Sequence, residues 1–363
     1  MWKFNQIFFL SFFVAALCVP LLRTIAFRFK ILDFPKNHGI HIHPVPRLGG
    51  VAICIAFVVG AIFRMDLSEQ LKGVLLGSSI IFTIGLLDDI FHLRASLKLL
   101  IQILACGIMM FNYGVILHMF PWPVLDAFFT ALGIIGLTNA VNFLDNMDGL
   151  ASGLVAISSF TIFLIAFQTH QIWLAYLTMA LVGATIGFLV FNLRPAHIFM
   201  GDSGSTFLGF TLASFTVMTD WSSFLPVTLA VPILMLGVPI LDMILITILR
   251  AKEGKVHNFK EWIDYTGKDH LSHRVMRLGV GKRGAVFCLW GLQALFCAVG
   301  WLILPQKNLQ GILGLAFYFA VVFGVIFFFR KKRSIILRFK GRQPYKKGRN
   351  RLRKKADKTL VPA

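Results

Sequence analysis

The sequence predicts an all-α polytopic integral membrane protein of about eleven transmembrane helices, with the N-terminus outside and the C-terminus in the cytoplasm. Three observations carry this reading. The 363 residues are 57% hydrophobic and only 14% charged, with a mean hydropathy of +0.77, whereas soluble domains average about 25% charged residues. Apolar runs near the length that crosses roughly 30 Å of hydrocarbon recur along the chain. Of the 36 Lys and Arg, 31 fall in alternate connecting segments.

The first apolar run, 5–27, resembles a signal peptide but lacks a small-x-small cleavage site, so it reads as an uncleaved helix. Runs at 49–64 and 72–88 follow, the second ending in TIGLLDDIFHLR. Runs at 97–112, 124–141 and 149–168 come next, the last two joined by NFLDNMDGLA. Runs at 173–192 and 204–219 flank NLRPAHIFMGDSGS, and 225–249, 284–304 and 311–329 complete the set. The five cysteines all sit in apolar runs without metal-ligand spacing; they read as small packing residues, and no disulfide framework is indicated.

Orientation follows from the cations. With the N-terminus outside, only Lys3, Arg64, Lys72 and Lys307 lie in outer segments, so the positive-inside rule selects this topology. A polytopic domain is expected over 1–330, followed by a basic cytoplasmic tail over 331–363 that reads as disordered. Fifteen Lys and Arg from Arg330 onward face a single acid, Asp357. Such a juxtamembrane segment is drawn to anionic lipid at about 1 kcal/mol per charge. Lipid rather than nucleic acid is therefore its expected partner.

Acids are scarce, 16 in all, yet Asp88, Asp89, Asp145, Asp148, Asp202 and Asp242 are all predicted at helix ends or inner halves on the cytoplasmic face. Asn139, Asn142, Asn146 and Gly149, spaced i, i+3, i+7 and i+10, would form one helical stripe. A polar stripe in hydrocarbon must face the bundle interior or a wet cavity. Each such residue alone could be an ordinary helix cap or turn residue. Six acids with amides on one face instead form the oxygen ligand set of Mg²⁺. The inner loops supply the opposite charge: His38, His41, His43 and Arg47 in the first, and His270, His273 and Arg274 in the last. Zinc binding and plain solvation are the rival readings of these histidines; recognition of an anion such as a diphosphate is favoured.

These blocks resemble the bacterial polyprenyl-phosphate N-acetylhexosamine-1-phosphate transferases. That family includes the phospho-MurNAc-pentapeptide translocases and the WecA/TagO-like GlcNAc-1-phosphate transferases. The resemblance covers about residues 30–280 and rests on Asp88-Asp89, NAVNFLDNMDGLA, NLRPAHIFMGDSGSTFLG, VPILD and DHLSHR, in order. The chain departs from the family at Asp145-Asn146, where Asp-Gly is frequent, and at His38-Gly39, where an Arg-Lys pair is frequent. Its last loop reads His-Leu-Ser-His-Arg rather than three histidines, which resembles the GlcNAc-1-phosphate side of the family.

The resemblance implies attack of an undecaprenyl-type phosphate on a UDP-N-acetylhexosamine at the bacterial plasma membrane, with release of UMP, as the first membrane step of cell-envelope polysaccharide synthesis. It implies catalytic roles for Asp88, Asp89 and Asp202, and a Mg²⁺ ion, or Mn²⁺ in its place, on Asn142 and Asp202. It implies substrate contacts for Asn139, Asp145, Asp148, Arg47, His270, His273 and Arg274. A base role for Asp88 is discounted in part, because a phosphate monoester has a second pKa near 6 and is mostly ionised at neutral pH. Peptidoglycan-type pentapeptide transfer, a secondary transporter and a lipid-binding scaffold are the rival functions. Homodimerisation is left open.

Overall fold

The computed structural model describes residues 2–34, 44–63, 68–258, 261–262, 265, 267, 269–305 and 308–340. Over the described residues each of the eleven apolar runs falls mainly on helix, with a break at Leu236 in the run 225–249, because backbone polar groups in hydrocarbon have to be satisfied within the segment itself. The order is α1 (Trp2–Arg28), a short ribbon β1 (Leu32–Asp33) and β2 (Val45–Pro46), then α2 (Gly49–Ile62), α3 (Glu69–Phe91) and α4 (Ala95–Tyr113). There follow α5 (Pro123–Leu144), α6 (Leu150–Gln168), α7 (Ile172–Asn192), α8 (Gly201–Met218), α9 (Leu225–Met235) and α10 (Gly237–Lys252). The described chain ends with α11 (Leu271–Val275), a π-helical turn (Met276–Val280), α12 (Gly281–Ile303) and α13 (Asn308–Lys340). In the antiparallel ribbon Leu32 lies opposite Pro46 and Asp33 opposite Val45.

Helices α6, α7 and α8 are buried nearly all round and form the centre of the bundle. Small residues let neighbours close on them: a Cβ at Gly183 or Gly187 would lie 2.4 Å from the α1 backbone. Peripheral helices keep large apolar side chains outward, Phe111 at 74% exposure and Val124 at 78%, as helices that face lipid do. Of the cysteines, Cys54, Cys106 and Cys297 are buried, Cys18 is half-buried and Cys288 exposed, all as free thiols.

The protein is a multi-pass membrane protein. Among the described residues eight helices are long and apolar enough to cross a membrane, or nine if α9 and α10 count as one bent span. The expected eleven include two further helices. One is α2, only 14 residues long; the other is α8, which carries Asp202, three serines and three threonines. The expected stripe from Asn139 to Gly149 is not one helix. Helix α5 stops at Leu144, so only Asn139 and Asn142 share its face, and Gly149, at φ 77°, opens α6. The chain divides into two compact units, Met1–Tyr318 and Phe319–Ala363, and the site described below lies in the first. Helix α13 carries the first ten residues of the expected tail, to Lys340; residues 341–363 lie outside the described residues.

Candidate active site

The last turn of α3 presents its paired acids to two different partners. Asp89 is buried, and its two oxygens accept the backbone N–H groups of Asp202 (2.8 Å) and Ser203 (3.0 Å). It thus caps the positive end of α8. This contact needs α3 and α8 unusually close, which Gly85 permits, since a Cβ there would lie 2.6 Å from Ser203 Cα. Gly201, at φ 74°, turns the chain into α8 directly against the Asp89 carboxylate. Asp88 faces the other way. Its Oδ1 accepts the Leu93 N–H (2.6 Å) in the left-handed turn at His92, and its Oδ2 meets Lys98 Nζ at 2.9 Å.

Lys98, in the first turn of α4, also reaches Asp202 Oδ2 at 2.7 Å. One ammonium therefore sits between two carboxylates from different helices. Asn142 lies against α8, donating to Ser205 Oγ at 2.8 Å. Asn139 pairs with Gln102 of α4, donating to its Oε1 at 2.7 Å, so it clasps α4 to α5.

The α5–α6 turn brings in more negative charge. Burial pushes the Asp145 carboxyl up to about 8, with repulsion from Asp202 and Asp89 adding to it and Arg47 opposing. Arg47 itself is paired with Asp33 at 2.9 Å. Asp148 accepts the Ala196 N–H at 3.4 Å, and Asn192 accepts from Gly149 N–H at 2.9 Å, which ties the turn to the α7–α8 connection. On the other side the Ser272 hydroxyl donates to Asn146 Oδ1 at 2.7 Å.

That serine belongs to the HLSHR segment, which two buried side-chain pairs hold in place. Asp242 of α10 accepts from His270 Nδ1 (2.7 Å) and from the Leu271 N–H (2.6 Å). Arg250 forks onto Asp269 through Nε (2.9 Å) and Nη2 (2.8 Å) and lies over the Tyr265 ring. Burial alone would raise the Asp269 carboxyl, yet the Arg250 guanidinium holds it below the usual carboxylate range. Arg274 Nε donates to the Asp269 carbonyl at 2.6 Å, and His273 is buried.

A cavity of about 1270 Å³ opens from this cluster. Asp88, Lys98, Asn139, Asn142 and Asp202 stand at one end, and apolar residues of α4, α5, α9 and α10 such as Phe128, Leu132, Ile233 and Ile240 line the rest. The shape suits an amphiphile whose anionic head meets Lys98.

Among the described residues no three His, Cys, Asp or Glu side chains converge as a ready metal-chelating set. Mg²⁺ does not need one: it takes one or two carboxylates and keeps several waters. Asp88 and Asp202 already converge on one cation position, the one Lys98 Nζ takes, with the Asn142 amide on the same cavity wall. The all-oxygen donors fit Mg²⁺.

The structure thus links Asp88, Asp89, Asp202, Asn142, Asp145, Asp148, Arg47, His270, His273 and Arg274 into one region. Asn139 stands at its edge. Asp242 reaches the region through His270 and the Leu271 N–H. His38, His41 and His43 lie outside the described residues. Sequence reading assigned Lys98 to topology alone and missed its place in the site; a lone lysine in the first turn of an apolar helix was the available signal. Asn192, Ser205 and Ser272 lie inside the blocks NLRPAHIFMGDSGSTFLG and DHLSHR without a role assigned to them there, and Gln102 gave no signal.

Fold and site together define a polytopic membrane protein with an acid-rich centre at the head of an apolar cavity. The profile of glycosyl transferase family 4 matches residues 71–220. The chain is 33% identical over 299 residues to a probable undecaprenyl-phosphate N-acetylglucosaminyl 1-phosphate transferase of Bacillus subtilis, covering 80% of this chain and 82% of that protein. It is 29% identical over 347 residues to the decaprenyl-phosphate N-acetylglucosaminephosphotransferase of Mycolicibacterium smegmatis, with 84% of each covered. With the undecaprenyl-phosphate alpha-N-acetylglucosaminyl 1-phosphate transferase of Yersinia pestis the identity is 26% over 295 residues, 77% and 78% covered. The chain belongs to the polyprenyl-phosphate N-acetylglucosamine-1-phosphate transferase family.

Proposed function

We propose that this protein transfers N-acetylglucosamine 1-phosphate from UDP-GlcNAc to an undecaprenyl-type phosphate. An oxygen of the lipid phosphate attacks the sugar-bearing phosphorus, the bond to the uridylyl oxygen breaks, and UMP leaves. The observation that carries this reading is the cavity whose one end is Asp88, Lys98 and Asp202 and whose walls are apolar. A long isoprenoid can lie along those walls with its phosphate at Lys98.

The residues divide the work. Lys98 offsets the lipid phosphate charge and, with Asp88, orients it. Both Asp88 oxygens are engaged, by Leu93 N–H and Lys98, which favours orientation over a base role. Asp89 positions Asp202 by capping α8. Asp242 accepts from His270 Nδ1 and so leaves Nε2 to face the diphosphate, with His273 and Arg274 on the same segment. Asp145, Asp148 and Arg47 meet the nucleotide side. Asp202 and Asn142 would hold Mg²⁺, or Mn²⁺, which when bound offsets charge on the diphosphate.

In this reading the protein lies in the bacterial plasma membrane with eleven spans, the N-terminus outside and the site at the cytoplasmic face, where UDP-sugars are found. The basic C-terminal segment associates with anionic lipid. The relatives' names favour GlcNAc over a MurNAc-pentapeptide donor. The test is UMP release by purified protein with Mg²⁺, undecaprenyl phosphate and a panel of UDP-sugars. UDP-GlcNAc should be the preferred donor. No UMP from any donor, or release only from UDP-MurNAc-pentapeptide, would overturn the reading.

A further inference from the structure

The cavity wall formed by α9 and α10 is bent by 81° between Met235 and Gly237. Such a break strands backbone polar groups where water is absent, at a cost of several kcal/mol for each one left unpaired. The local sequence makes the loss specific. An unbroken helix would pair the Met235 carbonyl with the N–H of residue 239, which is Pro239 and has none. Past the break the Val238 N–H no longer has a helical acceptor.

Both groups are met by one side chain from another helix. Gln293 of α12 is fully buried; its Oε1 accepts the Val238 N–H at 2.9 Å and its Nε2 donates to the Met235 carbonyl at 2.8 Å. The amide thus stands in for the peptide partners that Pro239 and the bend remove. Its Nε2 also lies 3.2 Å from Ser158 Oγ of α6, which ties the bracket to the central helices. Tyr318, also fully buried, donates to the Gly237 carbonyl at 3.1 Å. Gly237 lets α12 close on the bend, since a Cβ there would lie 2.4 Å from the Phe296 ring.

The consequence reaches the substrate. Leu236, between the bracketed groups, and Ile240, just past them, line the cavity, as do Pro232 and Met243. The bend angle therefore sets how wide that wall stands from α5. We infer that Gln293, assisted by Tyr318, is a positioning residue for the lipid acceptor: it holds the α9–α10 bend and so keeps the polyprenyl cavity open. The inference rests on the acceptor being a polyprenyl phosphate.

The test joins a distance to a kinetic split. Spin labels on cysteines introduced at Leu225 and Ala251, with the exposed Cys288 replaced by Ser, report the bend without any assay of activity. The wild-type background should give one narrow distance, and Gln293→Met a broad distribution. KM for undecaprenyl phosphate should then rise at least about tenfold in Gln293→Met, since the loss of even one of its two buried hydrogen bonds acts on that scale, while KM for UDP-GlcNAc changes less than about twofold. Gln293→Glu keeps both hydrogen bonds while its buried carboxyl stays protonated. It should match wild type at neutral pH and fall toward Gln293→Met as alkali ionises it. If Gln293→Met does not fold, Tyr318→Phe should give the same split at smaller size. A narrow, unchanged distance in Gln293→Met overturns the bracket. A broad distance with unchanged acceptor KM overturns its link to the lipid. Wild-type protein that releases no UMP counts against the functional reading, and the spin distances then still decide the bracket.

Discussion

At the head of the cavity, Lys98 separates two carboxylates that would otherwise repel each other, lying 2.9 Å from Asp88 and 2.7 Å from Asp202. The two acids are not equivalent. Asp88 spends one oxygen on a backbone N–H at the end of its own helix, whereas Asp202 stands at the start of α8, where Asp89 holds the backbone. Asp88→Asn should lower UMP release about tenfold and by the same factor from pH 5 to 9, since orientation does not depend on proton uptake. If the rate instead recovers above pH ~6, where the lipid phosphate loses its second proton, Asp88 is the base. Asp202→Asn should abolish turnover at every pH, and raising Mg²⁺ should restore part of it if Asp202 is a metal ligand. Restoration by pH rather than by Mg²⁺ would exchange the two roles.

At the scale of elements, the 269–275 segment depends on α10 through the Asp242–His270 and Arg250–Asp269 pairs. Removing one partner of a buried ion pair costs about 3–5 kcal/mol, because the other is left charged and unpaired; Arg250 is 1% exposed and Asp269 side chain 9%. Arg250→Ala should therefore release the segment, seen as faster hydrogen exchange over 269–275 and a higher KM for UDP-GlcNAc, with the bulk of the bundle unchanged. Protection of that segment in the variant equal to wild type would show that the pair does not anchor it. The pair also has a pH signature. Asp269 is held below its unfolded value, so its contribution is complete above about pH 4 and fades as pH falls through the lowered folded value. Protection over 269–275, taken as the exchange rate relative to the intrinsic rate at the same pH, should accordingly fall on acidification below that pH in wild type and stay constant in Arg250→Ala.

For the whole molecule the question is which end of the bundle faces the cytoplasm. Helix α8 begins at the site with Asp202 and runs 18 residues, roughly 27 Å at 1.5 Å per residue, so the loop that follows lies at the far end. Ser96, beside Lys98, and Ser223, after α8, are both exposed. A cysteine at Ser96 should react with a membrane-impermeant thiol reagent only from the cytoplasmic side, and one at Ser223 only from outside. The reverse pattern would overturn orientation and site location together, because the acid cluster and Ser96 share one end.

What was legible in the sequence is whatever depends on one segment at a time. Helicity, the approximate spans, the Asp-rich blocks and the family resemblance all follow from hydrocarbon length, backbone satisfaction and residues adjacent in the chain. Asp88 and Asp89 illustrate the limit. Neighbours in sequence and alike in chemistry, they are separated only by the fold, which gives Asp89 to the start of α8 and Asp88 to Lys98. Lys98 itself reads as one more inner cation until α3, α4 and α8 meet around it. The stripe expected from Asn139 to Gly149 failed for a local reason, a helix stop at Leu144 followed by a glycine in left-handed geometry. The bend of α9 and α10 could not be read from 225–249 alone, since Pro232 and Pro239 mark weak points without saying which will open. That choice was made by tertiary structure, because a broken span is tolerable in hydrocarbon only where distant side chains, here Gln293 and Tyr318, satisfy the backbone it exposes.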